Sequence, residues 1–169
     1  GSGVDITYFS PVIMQNLMNE EYCVFGFFSR MLKSKGIIEL IKSFNIIRME
    51  YDNVKLILVG GIDHGNPSSV SERFMKENSD GEQIIWKGHI EDVKSELSLV
   101  DVVVLPSYRE GLPKSLLEAL SMELPVIATD VPGSKEVVLD KQTGILVKPK
   151  DINSLVKAMY FMIKNPIIR

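Results

Sequence analysis

The sequence predicts an α/β fold built on a six-stranded, doubly wound parallel sheet, and three observations carry that expectation. Short runs rich in β-branched and aromatic residues alternate with longer segments whose apolar residues recur every three or four positions. That alternation marks strand–helix–strand units, which set neighbouring strands parallel. The run Val102-Val103-Val104-Leu105 is apolar throughout, as a strand must be when helices cover both faces of its sheet. No internal repeat, low-complexity tract or long linker divides the 169 residues, so one domain spanning 1–169 is expected.

The elements follow in order. Strands are expected at Cys23 to Phe28, Val54 to Val59, Ile84 to Trp86, Val102 to Leu105, Val126 to Thr129 and Gly144 to Val147. Between the first two, Ile37, Leu40, Ile41, Phe44 and Ile47 line one face of a helix of about three turns. Further helices are expected over Ser69 to Asn78, Glu91 to Val100, Lys114 to Met122 and Ile152 to Lys164, with a short one near Ser134 to Val138. The Rossmann-like order that such a chain adopts is 3-2-1-4-5-6. The longest loop, Gly60 to Ser68, is rich in Gly, Asn, Pro and Ser and is expected to be mobile and to border the site.

Composition excludes several classes of partner. A formal charge of −3 gives no basic excess for nucleic acid. The single cysteine, Cys23, sits in an apolar run, which excludes an internal disulfide and favours a reducing, cytoplasmic setting. No stretch approaches the roughly 20 apolar residues that span a bilayer. Gly1-Ser2-Gly3 has the composition of a cloning remnant, and Asn165 to Arg169 shows no evident finishing element, so the chain reads as a piece of a longer protein.

In an open sheet of this order, direction reverses between strands 1 and 4, and ligands bind beyond their carboxyl ends. Two loops meet there. One carries Arg30 and Lys35; the other runs from Pro106 to Ser115 and holds Glu110, eight positions before Glu118. An arginine fork and a lysine point charge suit a diphosphate. The backbone of Gly111, Leu112, Pro113, Lys114, Ser115 and Leu116 opens the next helix, where free amides hold anions. Glu118, one turn in, leans toward the helix start and reaches the two hydroxyls of a ribose. Glu110, on the loop, is placed for the hydroxyls or partial positive charge of a transferred sugar. Gly61, Gly88, His89 and Ile90, in turns after strands 2 and 3, are candidates to border a nucleobase. Each residue also has a plainer reading: a solvated basic loop for Arg30 and Lys35, a dipole-favoured charge for Glu118, an exposed acid for Glu110, a turn residue for His89.

His64 and His89 fall in different loops without a second ligand at zinc spacing, so no metal site is expected. No Asp-x-Asp motif is present to bridge a diphosphate through a metal, which leaves that task to the cations. The sequence holds neither G-x-G-x-x-G nor a G-x-S-x-G elbow, and Asn66-Pro67 stands where a phosphate loop beginning at Gly60 would need Lys-Ser/Thr.

With these residues in view, the chain resembles the C-terminal, donor-binding domain of retaining family 4 glycosyltransferases of GT-B architecture. Gly3-Val4-Asp5 with Phe9-Ser10-Pro11 resembles the family's entry segment, and Phe27-Phe28-Ser29-Arg30 with Lys35-Gly36 its first strand and phosphate loop. Glu110-Gly111-Leu112-Pro113 through Leu117-Glu118-Ala119 resembles its E-x₇-E motif; Pro125 to Thr129 and Thr143 to Val147 resemble later blocks. The resemblance implies that Arg30 and Lys35 contact the diphosphate, Glu110 the sugar and Glu118 the ribose, with Arg30, Lys35 and Glu110 catalytic. It implies transfer of a hexose or N-acetylhexosamine from a nucleotide sugar, UDP-linked, with retention and without metal or cofactor. The acceptor, a glycan or lipid-linked one as in capsule or lipopolysaccharide synthesis, would be met by an N-terminal domain absent from this chain. The isolated half is therefore expected to be inactive, and the full-length enzyme to associate peripherally with the cytoplasmic membrane face.

One departure concerns geometry: where the family has glycine near the end of the helix after its second glutamate, this chain reads Ser121-Met122-Glu123. A second, at Thr129 to Glu136, is the lack of the frequent double glycine, as in members that build bacterial surface polysaccharides. Two other functions fit the same pattern: a sugar-nucleotide epimerase of this architecture, and a non-catalytic doubly wound interaction domain. Phe28-Ser29-Arg30 stands where a phospho-receiver would need an acidic cluster, which disfavours that form of the latter.

Overall fold

The computed structural model describes residues 3–11 and 22–168; Gly1, Ser2 and Arg169 lie outside them. Six strands, β1 (Cys23–Phe28), β2 (Val54–Val59), β3 (Ile84–Gly88), β4 (Val102–Leu105), β5 (Val126–Thr129) and β6 (Gly144–Val147), form one sheet. Its order is β3-β2-β1-β4-β5-β6, and every pairing is parallel, as the sequence predicts. Only β3 differs in extent, continuing through Lys87 to Gly88 where the β2 register shifts between Leu58 and Val59. All four residues of β4 are buried, so the expectation of helices on both faces holds.

Among the described residues, six α-helices connect and flank the strands: α1 (Ile37–Ile47), α2 (Glu72–Glu77), α3 (Val93–Leu97), α4 (Lys114–Ser121), α5 (Pro132–Lys135) and α6 (Ile152–Lys164). Right-handed crossovers put α1 on one face and α4 on the other, because the chain winds outward in opposite directions from β1 and β4. The last helix, α6, returns to pack against α1 and β6. The core runs through both layers, from Phe25, Phe27, Leu40 and Phe44 to Val103, Leu116, Ile127 and Met159.

Helix starts are where the sequence reading needs correction. α2 begins at Glu72, three residues later than expected, because Ser71 is the cap and its hydroxyl accepts from the Phe74 amide at 3.0 Å. Ser69 is engaged elsewhere, bridged to Leu32. α3 likewise starts after Asp92, whose carboxylate accepts from the Ser95 amide at 3.2 Å, and it ends at Leu97 rather than at Val100. α4 stops at Ser121, with Met122 as its cap. α5 lies at Pro132–Lys135 instead of Ser134 to Val138, since Pro132 fixes the first helical φ.

The Glu123 turn is of the kind that favours glycine. Glu123 has φ 60°, its amide donates to Leu120 O at 3.1 Å, and the Leu124 amide reaches back to Ala119 O at 3.0 Å. This pair of bonds is a Schellman motif with a glutamate in the left-handed position. Glu123→Gly is expected to stabilise the fold by about 0.5–1 kcal/mol, relief of the left-handed strain outweighing glycine's extra backbone entropy. Urea unfolding reads this as a higher midpoint; a lower one contradicts the strain.

Candidate functional site

β1 and β4 lie side by side, with Phe25 opposite Val102 and Gly26 opposite Val103. The loops leaving their carboxyl ends therefore emerge together, at the point where the winding reverses. Gly36 holds them in contact. It has φ 77°, and a Cβ there would sit 2.1 Å from Pro106 O, so only glycine permits this approach. The Tyr108 amide adds a bond to Ser34 O at 2.9 Å.

Across this junction Lys35 Nζ meets both carboxylate oxygens of Glu110, at 2.7 and 2.9 Å. The Glu110 side chain is only 7% exposed and that of Lys35 22%, so removing either partner would leave the other's charge poorly solvated and uncompensated. Two residues 75 positions apart in sequence thus form one charged centre just ahead of α4. At the start of α4, Pro113 provides no side-chain cap. The amides of Lys114 and Ser115 find no acceptor among the described residues and face the loop side, as a helix start presents them.

The Leu116 part of the expected cradle is not available. Its amide donates to Pro113 O at 3.1 Å and its side chain is fully buried in the core, because the first turn of α4 closes tightly. Pro113 has no amide to offer. Leu112 is exposed, and a Cβ on Gly111 would meet nothing within 4 Å, so the open side of the loop lies there.

Glu118 is half-buried, and no donor among the described residues bonds its carboxylate. Burial pushes its carboxyl up from the ordinary value, opposed by the charge of Lys114. A partly desolvated carboxylate with all its acceptor capacity free is suited to receive two vicinal hydroxyls.

Arg30 turns to another wall. Its Nη1 pairs with Asp63 Oδ2 at 2.5 Å, and its side chain is 61% exposed. Asp63 belongs to the 60–68 loop, which borders the site as expected but is tied to the Arg30 loop: Lys33 N donates to Ser68 O at 2.7 Å and Val70 N to Met31 O at 2.9 Å. The turns after β2 and β3 also meet. Gly60 N donates to Gly88 O at 2.7 Å and Met31 N to Gly61 O at 3.1 Å, while a Cβ on Gly61 would lie 3.5 Å from that of His89. Ile90 packs at the edge of the core, which leaves the backbone of 88–89 as the contact surface of this wall.

Three residues that sequence reasoning missed hold the site together. Asp63 is one. Gly133, in α5, is another: a Cβ there would lie 1.7 Å from Gly111 O and 2.7 Å from Glu110 O, so α5 presses directly on the acidic loop. The third is Tyr108, whose hydroxyl donates to Glu39 Oε1 at 2.6 Å while Lys150 Nζ lies 4.6 Å from the ring centroid. Burial, with the bond to Glu39, pushes its hydroxyl up to about 12. A Pro-Gly step opening a short helix was the one visible signal for Gly133. Among the described residues, no group of three or more His, Cys, Asp and Glu is placed to hold a metal ion, and no helix is long and apolar enough to cross a membrane.

A six-stranded sheet of this order, with a cationic loop after β1 closing on an acidic loop and helix after β4, defines one half of the GT-B architecture. The chain belongs to the glycosyl transferases group 1 family, whose model matches residues 12–169. It is 32% identical over 154 residues to the capsular polysaccharide biosynthesis glycosyltransferase CapM of Staphylococcus aureus, covering 90% of this chain and 40% of CapM. The chain spans under half the length of the curated relatives it matches. Among solved structures, the C-terminal domain of a group 1 glycosyl transferase (LpcC) from Francisella tularensis superposes with TM-score 0.78 at 26% identity, covering 98% of this chain and 90% of that one. Anabaena HepE in complex with UDP and glucose shares the fold, with TM-score 0.81 at 22% identity, covering 98% of this chain and 47% of HepE.

Proposed function

We propose that this chain, as a single domain over 1–169, holds the sugar nucleotide of a retaining glycosyltransferase that builds a surface polysaccharide. The observation that carries this reading is the Lys35–Glu110 pair standing ahead of uncapped α4, with the unpartnered Glu118 carboxylate one turn beyond. The donor is a hexose or N-acetylhexosamine carried on UDP, the nucleotide seen with HepE; the acceptor is a glycan or lipid-linked sugar, in keeping with the role named for CapM. Family membership supports the class of reaction, and the grouping of these charged residues around the start of α4 supports the roles given to them here.

The diphosphate lies across the start of α4, with Lys35 and Arg30 as counter-charges and the amides of Lys114 and Ser115 as donors. Glu118 accepts from the ribose hydroxyls. Glu110, held by Lys35, faces the sugar. The turns at Gly61 and at Gly88-His89-Ile90 border the base. As the bond from the anomeric carbon to phosphate oxygen breaks, charge grows on the diphosphate and the two cations stabilise it without a metal. The acceptor oxygen bonds the anomeric carbon on the same face, and its proton passes to the departing phosphate oxygen. The acceptor is gripped by an N-terminal domain of the longer protein, which acts at the cytoplasmic membrane face; the chain alone binds donor without turning it over.

Calorimetry of the 169-residue chain against UDP, GDP and their sugars tests this directly. Binding by at least one at or below millimolar concentration is expected. Absence of binding by all of them, with circular dichroism showing an intact fold, would remove the proposal.

A further inference from the structure

We infer that Asp63 is the positioning residue that presents Arg30 to the donor's diphosphate, an assignment that rests on the donor-binding reading above. Arg30 is long and mostly exposed, so unpartnered it would sample many rotamers and lose that freedom on meeting a ligand. Asp63 takes only one of its nitrogens, Nη1, through one oxygen, Oδ2. The remaining guanidinium N–H groups stay available to phosphate oxygens, since the fork has five donors.

The carboxylate is itself fixed rather than floating. The Asp63 amide donates to Ser69 Oγ at 3.1 Å, and Asn66 Nδ2 reaches Asp63 Oδ2 at 3.4 Å. The Asn66 amide closes a turn onto Asp63 O at 3.0 Å, and the Ser69 amide donates to Asn66 O at 2.9 Å. This knot is joined to the cationic loop independently of the ion pair, by the Leu32–Ser69 bridge and by Ser34 N donating to Ser68 Oγ at 3.0 Å. Asp63 and the backbone that carries Arg30 therefore move as one body, and the ion pair fixes the side chain within it. The sequence places no other acid in the 60–68 loop, so nothing there substitutes for it.

The test is a double-mutant cycle on the 169-residue chain, with UDP binding read by calorimetry and uridine binding by ligand-observed NMR. Asp63→Ala is expected to weaken UDP about threefold to fivefold, the range of an exposed but oriented ion pair, and to leave uridine unchanged. Asp63→Asn should behave like alanine, and Asp63→Glu should restore most of the affinity. In an Arg30→Ala background, Asp63→Ala should add nothing. Tighter UDP binding by Asp63→Ala would show that Asp63 competes with phosphate, and overturns the assignment. So does an additive loss in the double variant, or an equal loss for uridine, which would mark a merely structural loop. A wild-type chain that binds neither UDP nor GDP, nor their sugars, overturns the donor reading and this assignment with it; if GDP alone binds, the same cycle is read with GDP against guanosine, and wild-type binding with an additive cycle overturns this assignment alone.

Discussion

Lys35→Ala is expected to lower turnover of the full-length enzyme about 10²–10³-fold, the usual loss when one preorganised charge-stabilising donor is removed. The residues alone suggest that such a change damages chemistry more than folding. The structure adds a folding cost to it, because Lys35 is the partner of a carboxylate only 7% exposed, and removing it leaves Glu110 charged and nearly buried. A destabilisation of about 1–3 kcal/mol should therefore accompany the kinetic loss, below the cost of a fully buried pair because Lys35 itself reaches solvent. The two effects separate in the variant Lys35→Ala/Glu110→Gln. Its urea midpoint should return most of the way to wild type while turnover stays low. Recovery of turnover in that variant would mean that Lys35 serves only to neutralise Glu110, and its place at the diphosphate would have to be abandoned.

Gly133→Ala should be among the most damaging small substitutions outside the charged centre. The added methyl would fall 1.7 Å from Gly111 O and 2.7 Å from Glu110 O, and backbone atoms on both sides must move to admit it. A stability loss of about 2–3 kcal/mol is expected from overpacking of this kind. The shift lands on the loop that aims Glu110, so turnover should fall by about 10²-fold, as it does when reacting groups are displaced by an ångström. Gly111→Ala is the control. Its Cβ would enter open space, so stability should stay within about 0.5 kcal/mol of wild type. If the two alanines behave alike in thermal unfolding and in assay, α5 does not set the loop.

Much of the fold was legible because buried parallel strands write their pattern locally. Five of the six strands have the bounds that the apolar runs give, and the winding order follows from their alternation with helices. Helix starts were less legible, since Ser69, Ser71, Glu91 and Asp92 all read as polar residues before an apolar period. Only the hydrogen bonds from Phe74 and Ser95 single out Ser71 and Asp92 as caps. Of the candidate site, Lys35, Glu110 and Glu118 could be picked out because charge type and spacing draw attention to them, and the structure brings the first two together. Asp63 and Gly133 could not, as their significance is a contact with a loop about 20 to 35 positions away. Leu116 was misjudged for a related reason: the sequence shows that a helix begins, but not which of its first amides the turn itself consumes.

The packing of α6 on α1 also bears on how the chain is made. α1 buries Leu40, Ile41, Phe44 and Ile47, yet the helix beside it is the last of the six to leave the ribosome. At ordinary elongation rates of roughly 5–20 residues per second, that flank stays uncovered for several seconds or more after α1 itself has emerged. A nascent chain stalled before Ile152 would display a greasy, helix-shaped vacancy to chaperones, and release from them should coincide with synthesis of the buried positions of α6, from Leu155 to Met162.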